Sequence, residues 1–187
     1  ALQSGQVDLV ENITNVSDIQ DFKDNPDFTV DIASGVRCGF SWMNFDGVLG
    51  NKTLRQAILM GIDYDTICNS KTIGGLYTPG FSVLPSTLSY GYDKLTNPYT
   101  YDPEGAKKLL DDAGIVDTDG DGIREIDGEN INLHYVSYEN RLLNDFSNAH
   151  IWQRSVSDAP QITAVPMTSG ANLLPETMIS TIITGSP

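Results

Sequence analysis

The sequence predicts an α/β protein in which mixed sheets are flanked by helices, and three observations carry that prediction. Apolar residues recur at helical spacing behind good N-cap residues in two places, after Asn51 and after Asp102. Around them, other segments alternate apolar and polar residues with a period of two, most plainly 28–32 and 131–137. A hydrophobic content of 40% over 187 residues suffices to bury one sizeable core or two small ones, so a folded body is expected rather than a disordered chain.

In order along the chain, residues 1–5 read as a helix end closed by Gly5, and 7–12 as a short strand. Residues 18–25 read as a short helix ahead of Pro26. Phe28, Val30 and Ile32 then alternate with Thr29 and Asp31 as a strand does, and a further strand of mixed pattern covers 38–44. Leu54, Ala57, Ile58, Gly61 and Ile62 follow Asn51 at helical spacing, and Asp63 can cap a second short helix reaching Asn69. Residues 74–98, rich in Gly, Pro, Ser and Tyr, predict a long ordered or functional loop. Asp102 as N-cap, Pro103 at the first helical position and Gly114 past the end delimit the clearest helix, with a stripe of Ala106, Leu109, Leu110 and Ala113. After an acidic, glycine-rich turn come a strand at 131–137, a helix at 145–157, a strand at 162–167 despite Pro166, and a last helix at 175–184.

Composition excludes several functions. Eleven Lys and Arg against 25 Asp and Glu give a net charge of -14, which repels phosphate backbones, so no nucleic acid partner is expected. No apolar run is long enough to span a bilayer, and the first residues lack the layout of a signal peptide. Cys38 and Cys68 fit no zinc or redox spacing and read as a disulfide or, more blandly, as two separate buried thiols. His134 and His150 have no partner ligand at metal spacing, and neither serine nor cysteine sits in a nucleophile elbow or a phosphate loop. The chain is therefore not expected to be an enzyme.

The strongest local motif is the run from Asp117 through Asp119, Asp121 and Gly122 to Glu125. Carboxylates at alternate positions with glycine sixth are how a calcium loop begins, and Asp117, Asp119, Asp121 and Glu125 are the candidate metal ligands. The twelfth position, however, is Gly128, where an EF-hand places a bidentate glutamate. The same run reads equally as an acidic turn whose aspartates cap backbone amides. No cofactor is required, and calcium at this loop is the one candidate ion.

Four strings, taken in order, resemble the family-5 extracytoplasmic solute-binding proteins of ABC importers, whose members bind oligopeptides, dipeptides or nickel. They are Ala1-Leu2-Gln3-Ser4-Gly5-Gln6-Val7-Asp8, Leu54-Arg55-Gln56-Ala57-Ile58 with Gly61-Ile62-Asp63, Tyr101-Asp102-Pro103-Glu104 through Leu109-Leu110 to Ala113-Gly114, and Asp119-Gly120-Asp121-Gly122-Ile123. The resemblance covers residues 1 to about 140 and is that of an internal segment, since complete members are much longer. It implies part of a two-lobed, type II-like periplasmic-binding-protein fold that closes on a solute in a cleft. Residues 1–68 would be part of the first lobe including the crossover to the second, and 69–187 the first part of the second lobe. It further implies capture of a peptide or similar small solute outside the cytoplasm, in the periplasm or anchored on the outer face of a bacterial cell, and delivery by a monomer to permease subunits in the membrane. Asn44, where such a chain enters the cleft, and Tyr77, in the glycine-rich loop, would be the ligand-binding residues, although a turn asparagine and a packed aromatic account for them as well. The alternative function is an extracellular structural or adhesive module that uses a calcium-stabilised loop and transports nothing.

Overall fold

Two capped helices build the centre of the protein. The computed structural model describes residues 1–138, except 12, 14, 40, 71–73 and 89, together with the strands at 161–167 and 183–185. Helix α2 (Lys52–Met60) starts where Asn51 Oδ1 accepts the Leu54 amide at 3.1 Å, and it buries Leu54, Ala57 and Ile58. Helix α4 (Pro103–Asp112) starts where Asp102 Oδ1 accepts the Gly105 amide at 2.8 Å. It ends as its glycine predicted. Gly114 takes φ 74°, its amide donates to the Asp111 carbonyl, and the Ile115 amide donates to the Leu110 carbonyl, so carbonyls of the last turn find partners.

α2 and α4 pack on each other, and the Asp102 amide donates to the Met60 carbonyl at 2.8 Å, joining the end of one helix to the start of the other. Leu49, Leu54, Ile67, Cys68, Ile131 and Leu133 are the largest fully buried side chains of the resulting core. Burying each large aliphatic side chain contributes about 1.5–3 kcal/mol. This core therefore unites residues 49–68 with 106–133.

Around it lie α1 (Val16–Asp24), capped by Asn15, and α3 (Tyr64–Cys68), capped by Asp63. Strand β1 (Arg37–Gly39) and β2 (Tyr77–Pro79) flank β7 (Ile183–Gly185) in an antiparallel sheet, with Cys38 and Thr78 both opposite Thr184. β5 (Asn132–Tyr138) runs parallel to β6 (Gln161–Met167), Leu133 opposite Ile162. β3 (Glu125–Ile126) and β4 (Glu129–Asn130) form a hairpin. Its two turn residues, Asp127 and Gly128, take φ 56° and 83°, as a type I′ turn requires. Among the described residues, no helix is long and apolar enough to cross a membrane.

Helices and strands together make the fold α/β. Several expected elements differ. Residues 7–11 and 28–32, expected as strands, pair with no strand among the described residues, because alternation sets the faces of a strand and only a neighbour makes it part of a sheet, and Asp8 lies at a bend. The strand expected over 38–44 is Arg37–Gly39. The loop expected over 74–98 contains β2. Ile183 and Thr184, expected at the end of a helix, lie in β7, while 175–182 and the helix expected over 145–157 fall outside the described residues.

Candidate functional site

The acidic loop between α4 and β3 is organised by its own carboxylates. Asp117 accepts the Gly120 amide on Oδ1 at 2.6 Å and the Gly122 amide on Oδ2 at 2.9 Å. Asp119 accepts from the Asp121 amide, and Asp121 from the Ile123 amide and from Asn130 Nδ2. The amides of Gly122 and Gly120, in that order, hold the Asp117 carboxyl below its ordinary value. Glu125, 7% exposed, accepts the Thr118 amide at 2.9 Å. Next to it, buried Arg124 donates to Asp111 of α4 and to the Ile115 carbonyl, which clamps the loop to the helix. Oxygens of Asp117, Asp119 and Glu125 lie within 4.8 Å of one another. Asp121 is not part of that group. The chemistry available is that of a hydrogen-bonded turn with three convergent carboxylates, short of the six to eight oxygens calcium takes.

The second location is the turn leading into α2. Asn44 is half-buried, and its Oδ1 accepts the Asp46 amide at 3.1 Å, so the side chain shapes the turn. Arg55 holds this turn from α2: Nη1 donates to the Leu49 carbonyl at 2.6 Å and the Gly50 carbonyl at 2.9 Å, and its Cζ lies 4.3 Å from the centroid of the Phe45 ring. Sequence reasoning placed Arg55 in a motif but assigned it no task, since nothing in one sequence says where an arginine fork points.

Tyr77, in β2, is half-buried, packs against the core and lines an open groove of about 650 Å³. The groove lies mainly on residues 8–33, and Asn44 is not among its lining residues, so it does not bring the two expected ligand-binding residues together. Its apolar surface includes buried Ile19 and the Phe22–Phe28 pair, whose rings meet edge to face with centroids 5.0 Å apart. The groove escaped sequence reasoning because only the fold gathers these segments.

Other candidates resolve without chemistry. Trp42 and Tyr90 are exposed, and Tyr92 packs on Phe81; Phe40 lies outside the described residues. Both cysteines are free. Cys68 is buried, and burial, with Asp65 adding, pushes its thiol up to about 11; Cys38 is half-buried and also raised by burial. The side chains of His134 and His150 fall outside the described residues.

Comparison with known proteins extends this picture. The model of the family described as "Bacterial extracellular solute-binding proteins, family 5 Middle" matches residues 1–157. Heme-binding protein A of Haemophilus influenzae is 31% identical over 114 residues, covering 60% of this chain and 20% of that protein. The chain superposes on NikA of Brucella suis, solved with Fe(III)-EDTA, at a TM-score of 0.75 and 20% identity, covering 90% of this chain and 34% of that one. On the oligopeptide-binding protein AppA of Bacillus subtilis, solved with a nonapeptide, the TM-score is 0.68 at 22% identity, over 96% of this chain and 37% of that one. The chain thus spans between a fifth and two fifths of the length of these relatives.

Proposed function

This chain belongs to the family-5 bacterial extracellular solute-binding proteins, and from that membership we propose that it serves to capture a small solute of the peptide class outside the cytoplasm for delivery to an ABC permease. The observation that carries the proposal is the family match over residues 1–157, supported by an α/β fold shared with solved binding proteins. Proteins of this family are binding components of transport and not enzymes. In this reading the work is closure of two lobes over the solute, a shift in population driven by the solute's preference for the closed state. The partners are the solute and the permease, with neither nucleic acid nor a second copy involved, and an anchor to the outer face of the membrane is part of the same proposal.

Asn44 and Tyr77 are proposed to face the solute. A lobe needs its own core, and the core here ties Leu49 to Leu133, so within residues 1–68 the crossover between lobes is proposed to fall on the turn at 44–49 that Arg55 holds, with 69–187 in the second lobe. The test uses the protein at the length of its relatives. Thermal unfolding is followed with pooled short peptides, heme and chelated nickel, ligand classes suggested by the relatives. A ligand at about 100 times its Kd adds about 2.7 kcal/mol, so a peptide-dependent rise is expected. The absence of a rise with every solute would refute the reading.

A second reading has one observation in its favour, the three carboxylates within 4.8 Å in the acidic loop. Calcium held by Asp117, Asp119 and Glu125, with Asp121 alongside, would raise the unfolding midpoint of this chain when chelator is replaced by millimolar calcium. We take the hydrogen-bonded turn as the better account, because the aspartate oxygens already accept backbone amides. An unchanged midpoint is the expected result.

A further inference from the structure

Two contacts join segments that the two-lobe reading assigns to different lobes. In the first, Gly74 lies against Val16, the first residue of α1. Gly74 has φ 58°, and a methyl in place of its hydrogen would stand 2.5 Å from Val16 Cγ1 and 3.1 Å from Cγ2. In the second, Thr87 Oγ1 donates to the Gly35 carbonyl at 2.8 Å. Gly74 comes just ahead of β2 and Gly35 just ahead of β1, and these two strands share a sheet through β7, so the Gly74 contact and the Gly35 contact both sit beside the strand that leads to the crossover turn.

The Gly74 contact yields little locally. A β-branched side chain in a helix is held to one strongly preferred χ1 rotamer, and Val16 Cβ itself would stand 3.4 Å from the new methyl. Ordinary carbon–carbon contact needs about 3.5 Å, so α1 would have to retreat by about 1 Å. Ile19 and Phe22 of the same helix line one groove with Leu76 and Tyr77, which follow Gly74 in the chain, so that retreat widens the groove. We propose that Gly74 is a stop for lobe movement: its missing side chain sets how closely α1 approaches the second lobe at rest, and the hydrogen bond from Thr87 to Gly35 holds that spacing. Packed surfaces beside a hinge do not deform continuously, so a displacement of this size at the contact becomes a larger one across the cleft. The inference deepens the solute-binding reading and rests on it in assigning 16–35 and 74–87 to different lobes.

The test compares Gly74→Ala with Gly75→Ala. Gly75 has φ 72°, but a methyl there meets only Asn69 Oδ1, at 3.7 Å, so this variant carries the same backbone strain without the contact. In the 187-residue chain, amide residual dipolar couplings give the orientation of α1 relative to α2 and α4. A retreat of about 1 Å at one end of a nine-residue helix, about 13 Å long, turns it by about 5°. Gly74→Ala is expected to show that turn, Gly75→Ala to match the parent chain, and Gly74→Ala combined with Val16→Ala to return towards the parent. In the protein at the length of its relatives, small-angle X-ray scattering without solute should give Gly74→Ala a larger radius of gyration than the parent, with Gly75→Ala unchanged. Thr87→Val, a change of similar shape at an exposed position, releases the hydrogen bond and should enlarge the radius as well, which keeps the test decisive if Gly74→Ala fails to fold. An α1 that does not turn in Gly74→Ala, an equal turn in Gly75→Ala, no reversal by Val16→Ala, or a radius of gyration that neither Gly74→Ala nor Thr87→Val changes overturns the proposal. Both measurements are made without solute, so a protein that captures no solute and one that lacks the stop are told apart.

Discussion

Arg55→Met removes the Nη1 donor that joins α2 to the turn at 44–50 while keeping the aliphatic stem. The Leu49 carbonyl is part-buried and loses a charge-assisted donor, which costs about 1.5 kcal/mol. The Gly50 carbonyl is exposed and can turn to water, so its loss adds only a few tenths. The contact over Phe45, a ring 62% exposed, adds about 0.5 kcal/mol. The sum is about 2 kcal/mol, which for a chain of this size lowers the unfolding midpoint by about 4–8 °C. Circular dichroism melts and urea titrations of the two proteins read it directly. Arg55→Lys keeps the charge but not the planar guanidinium over Phe45 and should fall between them. A loss below about 0.5 kcal/mol for Arg55→Met, the range of an ordinary surface substitution, would refute the claim that this arginine organises the turn carrying Asn44.

Three other outcomes follow from the same structure. In Gly105→Ala the new methyl would overlap the Asp102 carboxylate and crowd Met60, so Asp102 must leave its cap and stability should fall by about 1 kcal/mol in a urea titration; a neutral or stabilising change contradicts this. Because the folded protein holds the Asp117 carboxyl below its ordinary 3.8, the contribution is present above that value and is lost as pH falls through the lowered one. Carboxyl-carbon titration should accordingly show the Asp117 midpoint under 3.8, and a midpoint at or above it would show the Gly120 and Gly122 contacts to be absent in solution. Cys68, buried and raised to about 11, should react with a thiol reagent at mildly alkaline pH much more slowly than half-buried Cys38, whereas equal rates would mean that the core around α3 opens readily.

What was legible in the sequence was local. Asn51, Asp63 and Asp102 cap the helices they were expected to cap, and Gly114 ends α4 as expected, because a cap needs only its own side chain and amides two or three residues on. The acidic run was legible as a choice between a calcium loop and an amide-capping turn; the aspartates do accept the amides of Gly120, Asp121, Gly122 and Ile123, and Asp117, Asp119 and Glu125 also converge within 4.8 Å. The Asp127-Gly128 hairpin could have been read from its dipeptide and was missed because the whole run was taken as a single turn.

The chain by itself determined where α2, α3 and α4 start, where α4 stops, and the family to which it belongs. Only the tertiary structure decided which extended segments pair. The alternation at 28–32 reads much like that at 131–137, yet β5 has β6 beside it and 28–32 has no partner among the described residues. It also decided that Arg55 reaches back to Leu49, that Arg124 locks the acidic loop onto α4, and that four carboxylates from 8–31 share one groove. The physical reason is range: caps and turns are settled by bonds spanning a few residues, whereas pairing, clamps and grooves depend on which distant surfaces burial brings together.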